Sequence, residues 1–369
     1  MFIQQLINGL SLGSIYALIA LGYTMVYGIL KLINFAHGEI YMIGTYIGYY
    51  FFRMTFVLGL AKKYAVNSKI AVNFLDKQEI ISQNPKLLMK YIANNFNEFG
   101  IIKDSNFRKS ITNVAVEQAK GLKHMSEFIN SNSIIIFLLL LIVSMFLTAL
   151  VGIIIEKLAY KPLRNASRIS VLLTALGVSI FIQNAGIKIF GGDPKAFPQL
   201  IPSKFYNITD NILISNHQII IIFVSIILMI LLEIIVHYTK VGKAMRAVSF
   251  DKSTAELMGI DVNKIISFTF AIGSALAAAA GILIGMRFNK IDPLMGMMPG
   301  IKAFVAAVLG GIGSIPGAVI GGLIMGISES LVVGYISSTY RDAIAFAILI
   351  VILLIKPSGI FGKNVKEKV

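Results

Sequence analysis

The 369 residues are 56% hydrophobic and only 14% charged, with a mean hydropathy of +0.80, which is more apolar surface than a soluble domain of this size can bury. The formal net charge of +15 would suggest nucleic acid in a soluble chain, but here Lys and Arg lie between apolar runs with no aromatic-rich basic surface, so they act as topology signals and nucleic acid is not an expected partner. The absence of cysteine excludes disulfides, thiolate metal sites and cysteine nucleophiles, and His37, His124, His217 and His237 show no metal-ligand spacing, so no metal site is expected.

Apolar runs long enough for the roughly 20 residues a bilayer requires lie at about residues 6–30, 32–52, 134–155, 171–190, 218–237, 265–287, 291–313, 316–336 and 341–356. The run at 291–313 contains Asp292, Pro293, Pro299 and Lys302 and reads as a broken or partial helix. The expected fold is therefore an all-α polytopic membrane protein of about eight to nine transmembrane helices, broken helices included, with residues 1–52 forming the first of them and 134–369 the core. The first run lacks a positively charged start and is too long for the apolar region of a signal peptide, so it is expected to stay in the mature chain.

Within the first run, Gly9-Leu10-Ser11-Leu12-Gly13 has the GxSxG form, but no strand precedes it and no His and acid can be placed beside it, so hydrolase chemistry is set aside. Asn34, His37 and Glu39 form the cluster NFAHGE at the head of the second run, Gln183 and Asn184 lie in the fourth, and Glu329 in the eighth. Polar groups at membrane depth usually face a bundle interior or a water-filled cavity, so these six are the candidate translocation path. For the amides, a helix–helix hydrogen bond is the competing reading. Glu156 and Glu233, near the ends of their runs, need no special role.

Residues 53–133 interrupt the apolar pattern with 12 Lys or Arg and 6 Asp or Glu. Leu87, Leu88, Tyr91, Ile92, Phe96 and Phe99 recur at helical spacing, as do Phe107, Ile111, Val114, Leu122, Met125 and Ile129, so the segment reads as two or three amphipathic helices broken at Pro85, Gly100 and Gly121. Alternating the crossings places this helical insertion outside the cell. It holds no acid, base or metal cluster and reads as an elaboration without catalytic content.

Short loops set the orientation. Loop 156–168 carries four Lys or Arg, loop 237–264 five and the tail from Lys356 four, whereas segments 188–217 and 287–302 carry three each and 337–341 one. The first set is expected in the cytoplasm and the N-terminus outside. The loop 240–264 reads as a polar helical hairpin: Gly242 opens a first helix with Ala244, Met245 and Val248 on one side and Lys243 and Arg246 on the other. Ser253 and Glu256 have capping-box spacing for a second helix that includes Leu257, and Gly259 sits where a left-handed residue is wanted. The apolar side needs a partner to bury against, and a soluble subunit is expected to supply it.

Gly313, Gly317 and Gly321 recur at four-residue intervals, and Gly322 and Gly326 repeat the spacing, so these residues are expected to let helix backbones approach where lipid offers no hydrophobic drive. Pro316 among them suggests a turn or broken helix. The Walker A pattern GxxxxGK[ST] is absent, so any ATP is expected to be hydrolysed by another subunit.

The stretches GLSLGSIYALIALGYTMVYGILKLINFAHGEIYMIG, YKPLRNASR, GKAMRAVSFDKSTAELMGI, KAFVAAVLGGIGSIPGAVIGGLIMGISESL and YRDAIAFAILIVILLIKPSGIFG, in this order, resemble the LivH-type permease of branched-chain amino-acid ABC importers. The resemblance covers nearly everything except residues 53–133, where the family has a much shorter connection. It implies a multi-pass protein of the bacterial cytoplasmic (inner) membrane, surrounded by lipid and itself no enzyme. The implied partners are a LivM-type second permease, two ABC ATPase subunits that bind ATP and Mg, and an extracytoplasmic amino-acid binding protein; no cofactor is implied in this chain. The hairpin only loosely echoes the wider EAA loop of ABC importers, through Ala255 and Gly259.

On this reading an ATPase pair closes on ATP, the docked hairpin moves, and the bundle switches between outward and inward access. Leu, Ile and Val would need polar groups for their charged ends and apolar walls for their side chains. Related permeases for urea or short amides are an alternative within the family. Outside it, the rivals are an ion-coupled secondary transporter relaying protons or ions through His37, Glu39 and Glu329, and, further off, an intramembrane enzyme.

Overall fold

A computed structural model describes residues 1–63, 120–164, 166–209 and 212–362. Of the insertion's expected helices, the positions from Leu87 to Val114, with Pro85 and Gly100, lie outside the described residues. The described chain divides into two compact units, Met1–Ile47 with Leu141–Lys195 and Ser203–Val369, and Gly48–Leu140 with Ala196–Pro202.

The first unit is built around α1 (Phe2–Leu30), a helix without a charged residue. It is apolar all round, as a helix must be when protein rather than water or lipid surrounds it, and from Gly9 to Leu30 nearly all of it is buried. Lys31 ends it in the left-handed region, φ 59°, donating its backbone N–H to Tyr27 O at 2.8 Å. The following helices are α2 (His37–Phe52), α3 (Ser133–Ile155), α4 (Arg168–Phe190), α5 (Asn216–Tyr238), α6 (Lys240–Phe250), α7 (Lys252–Leu257), α8 (Val262–Phe288), α9 (Met297–Gly310), α10 (Ile315–Tyr335) and α11 (Arg341–Ile355). A hairpin of β1 (Phe205–Thr209) and β2 (Ile212–Ser215) pairs antiparallel, Phe205 opposite Ser215.

Seven helices among the described residues are long and apolar enough to cross a membrane. The other two expected crossings are the short helices α2 and α9, of 16 and 14 residues. At about 1.5 Å per residue, 14 residues cover roughly 21 Å, less than the hydrocarbon core of about 30 Å. The helical pattern expected from residue 32 starts instead at His37, because residues 31–36 are non-helical. His37 packs against Gly22, well before the end of α1, while Gly38 lies against Gly296 and Gly300 at the head of α9. Both short helices therefore begin inside the bundle, and the 291–313 run is the partial helix its prolines suggested.

Small residues set the close contacts. Gly13 and Gly9 of α1 face Gly322, Gly326 and Ile327 of α10, while Gly317 and Gly321 on the other side of α10 face Gly310 and Ala306 of α9. The GxSxG resemblance at 9–13 is thus a helix-packing stripe. Gly313 differs from its neighbours in the pattern: at φ +97°, with open space where a Cβ would stand, it serves the turn between α9 and α10 rather than packing. Pro316 lies in the first turn of α10, capped by Ser314, whose Oγ accepts from Gly317 N at 3.2 Å.

Contacts within this unit sort its loops to two ends. The Gln4 side chain exchanges hydrogen bonds with the Leu213 backbone at 2.9 and 2.8 Å, and Gln5 accepts from Ser330 Oγ at 2.8 Å, so the start of α1, β2 and the end of α10 share one end. At the other, Ile360 and Phe361 N–H groups bond Leu309 and Gly310 carbonyls, and Arg164 pairs with Glu156 and Asn263. This second end gathers the described parts of the three short segments with the most Lys and Arg, 156–168, 237–264 and the tail from Lys356 as far as Gly362.

In the second unit the helix of α2 continues through a π-helical turn, Arg53–Leu58, into Gly59–Lys63. Residues 120–131 are helical and bury Leu122, Met125 and Ile129, at most 1% exposed, on one face. Phe52, Val57, Leu60, Ile136 and Phe137 are buried too. The last turns of α2 and the first of α3 therefore belong to this unit.

Candidate translocation cavity and coupling hairpin

The first unit holds a half-open cavity of about 650 Å³ between α1, α2, α8, α9, α10 and α11, within the roughly 300–1,000 Å³ of small-molecule sites. Leu12, Ile284, Met298 and Val333 give it apolar wall; Tyr16, Arg287, Lys302, Glu329 and Asp342 give it polar groups. Lys302, 4% exposed, places Nζ 3.1 Å from Glu329 Oε1 and 2.7 Å from Asp342 Oδ1. Arg341 Nε lies 3.4 Å from the same Glu329 oxygen, and Tyr16 donates to Oε2 at 2.8 Å. Four helices thus meet at one carboxylate. Breaking such a buried array by removing one partner costs about 3–5 kcal/mol, because the other is left charged and desolvated.

Arg287 stands apart from this array. Its Nη1 donates to Ser11 Oγ at 2.9 Å, and among the described residues it forms no ion pair. Ser11 is fully buried, so it positions the guanidinium at the cavity wall.

The six path candidates separate. Glu329 lines the cavity. Glu39, 2% exposed, accepts from Gln183 Nε2 at 2.8 Å and Ser179 Oγ at 3.4 Å, so it is the helix–helix partner of Gln183. His37, 1% exposed, sets its ring edge-on to Tyr23, centroids 4.8 Å apart. Asn34 accepts from Tyr160 OH at 2.5 Å. Asn184 is exposed on α4 and donates to Ile180 O of its own helix at 2.8 Å. Sequence reasoning missed Arg287, Lys302, Arg341, Asp342 and Tyr16. The available signal was Lys302, a lone cation inside an apolar run, although it was counted, with Arg287 and Arg341, among the loop charges.

At the Lys- and Arg-rich end, Thr239 caps α6 by accepting from Gly242 N at 3.0 Å, and Gly242 runs against the Ile235 and Val236 carbonyls of α5, which explains the glycine by close approach rather than by helix initiation. Arg246 Nη1 donates to the Val236 and His237 carbonyls at 2.8 and 3.0 Å, satisfying the end of α5. Met245 and Val248, 2% and 1% exposed, are buried inside the chain, Met245 beside Met25, Ile29 and Ile315, and Ala244 is half-buried. The apolar side of α6 therefore finds its cover in the permease bundle itself.

The cap of α7 is Asp251 rather than Ser253: its Oδ1 accepts from Ser253 and Thr254 N–H groups at 2.9 and 3.2 Å, and the Ser253 and Thr254 donors hold its carboxyl down at about 2. Gly259 has φ +80°, with Ile260 N bonding Ala255 O at 3.0 Å, the left-handed ending that the spacing predicted. Glu256 is exposed. What the hairpin offers solvent is Phe250, 95% exposed, Leu257, 88%, and Met258, 78%. Beneath it Glu156, fully buried, pairs with Arg164 and accepts from Ser267 Oγ at 2.6 Å, a structural tie that its place near a run end had not suggested.

A buried axial helix, two short helices starting inside the bundle, a charged cavity between them and a capped hairpin at one end define a helical membrane transport protein. The chain belongs to the family described as branched-chain amino acid transport system, permease component, which it matches over residues 5–353. It is 37% identical over 371 aligned positions to the high-affinity branched-chain amino acid transport system permease protein BraD of Pseudomonas aeruginosa, covering 100% of this chain and 98% of that one. It is 36% identical, with the same coverage, to the permease protein LivH of Escherichia coli. A shorter likeness, 31% over 123 residues, 32% of this chain and 38% of the relative, is to the ribose import permease protein RbsC of Haemophilus influenzae. No solved structure matches. The chain is a multi-pass permease of the inner membrane.

Proposed function

We propose that this chain is the LivH-type half of the membrane domain of an ATP-driven importer of leucine, isoleucine and valine. The observation that carries this reading is likeness along the whole chain to permeases named for branched-chain amino acid transport. The cavity accords with it, since an apolar wall beside fixed charges suits a zwitterion with a branched apolar side chain. A LivM-type subunit completes the transmembrane pair, an extracytoplasmic binding protein delivers the amino acid, and two ATPase subunits bind ATP and Mg. The hairpin couples them: Phe250, Leu257 and Met258 enter the ATPase surface while the buried Met245 and Val248 transmit its movement to α1 and α10.

The test is reconstitution of the chain with its second permease and ATPases in liposomes, with loaded binding protein outside. ATP-dependent uptake of labelled leucine, isoleucine and valine is expected. Uptake of urea or acetamide instead would reassign the substrate, and uptake driven by an ion gradient without ATP would overturn the ABC reading.

A further inference from the structure

We propose that Arg287 is the carboxylate anchor of the cavity, holding the α-carboxylate of an amino acid whose side chain lies on the apolar wall. This rests on the amino-acid import reading and names the group at that site that recognises the substrate's charged end. Lys302 and Arg341 are committed to Glu329 and Asp342. Among the described residues Arg287 forms no ion pair, and its hydrogen bond to Ser11 uses one of five donors; Lys290, which also lines the cavity, is exposed, whereas Arg287 is held in place by the buried Ser11. A planar guanidinium in this state accepts a carboxylate through two parallel N–H···O bonds.

The surroundings select among carboxylates. Leu12, Ile284 and Val333 line the same cavity, so an apolar tail is removed from water there. Asp342, with a side chain 49% exposed and Oδ1 engaged by Lys302, carries the carboxylate that receives the ammonium group. The ligand class is thus a zwitterionic α-amino acid with a branched apolar side chain, read first by its carboxylate.

The lack of native cysteine provides the assay. Val333→Cys in the cavity is labelled with a small methanethiosulfonate reagent in purified complex without binding protein, alone and with leucine, with leucinol, which lacks the carboxylate, and with 4-methylpentanoate, which lacks the ammonium group. Leucine is expected to slow labelling, 4-methylpentanoate to do so more weakly, and leucinol not at all. Arg287→Gln should raise the leucine concentration needed by roughly tenfold or more, the loss of a charge-assisted hydrogen bond, and Arg287→Lys should retain part of the protection. Equal protection by leucine and leucinol, or none by leucine, overturns the assignment; the comparison of ligands needs no change at Arg287, so it decides even where the variants fail to assemble. ATP-driven leucine uptake, measured in parallel, separates the readings: uptake without protection removes the Arg287 site alone, and protection without uptake removes the import function alone.

Discussion

Lys302 on α9 and Glu329 on α10 meet at 3.1 Å with their side chains 5% and 3% exposed, and both residues also reach α11, Lys302 through Asp342 and Glu329 through Arg341. Little of either charge is open to water. The pair therefore makes the packing of three helices depend on one electrostatic arrangement.

Glu329→Leu is expected to lower both assembly and uptake, since it leaves Lys302 and Tyr16 without their shared acceptor, at about 3–5 kcal/mol for a broken buried pair. The double change Lys302→Met with Glu329→Leu should recover part of that loss. Melting of the detergent-solubilised complex measures the coupling; strictly additive losses would mean the two residues act independently.

At the hairpin, Phe250→Asp and Leu257→Asp are expected to abolish substrate-stimulated ATPase activity while the permease pair still assembles, because both side chains are exposed. Met245→Asp should instead destabilise the permease itself, by burying an unpaired charge. Normal ATPase stimulation in Phe250→Asp would remove these residues from coupling.

Gly322→Leu is expected to prevent accumulation of the permease, since its side chain would occupy the backbone of Ala17. Gly313→Ala should be milder, costing about 1 kcal/mol through its left-handed φ, because space around it is open. Immunoblots of membrane fractions and melting curves rank the two; the reverse order would contradict the packing.

Single cysteines at Ser167 and Ser253, both exposed at the Lys- and Arg-rich end, are expected to resist a membrane-impermeant thiol reagent in intact cells, while one at Ser203 reacts. Reversed labelling inverts the whole assembly.

Replacing residues 64–119 with a glycine-serine linker should preserve assembly better than replacing 53–133, because the longer excision removes Val57, Leu60, Leu122, Met125 and Ile129 and strips cover from Phe52, Ile136 and Phe137. Titrating binding protein against the shortened complex at two ionic strengths then reads any docking role of the segment: unchanged affinity marks it as dispensable there, and weaker, salt-sensitive capture marks its Lys and Arg as contacts.

The sequence carried the helical class, the apolar runs and the sorting of loops, because lipid forces each crossing to be apolar and each loop to be polar. It was less informative about what covers a face. The periodicity of Ala244, Met245 and Val248 announced a buried side but could not say that the same chain supplies the cover. Glu329 stood out as a lone carboxylate in an apolar run, yet Lys302, Arg341 and Asp342 are brought to it by tertiary packing, and charges at run ends look like ordinary loop residues until the helices are placed. Gly259 was legible because a left-handed helix ending is a local matter; the cap at Asp251 was not, since Ser253 satisfied a looser spacing rule.

On α10, Gly317 and Gly321 meet α9 while Gly322 and Gly326 meet α1. The helix is in effect a smooth slat held between two backbones, with no side chains keyed into either neighbour at these positions. Interdigitated side chains resist lengthwise travel, whereas bare glycine faces resist separation far more than they resist sliding. Along α10 the restraint against lengthwise travel is therefore supplied by Glu329, which Tyr16, Lys302 and Arg341 hold from three other helices.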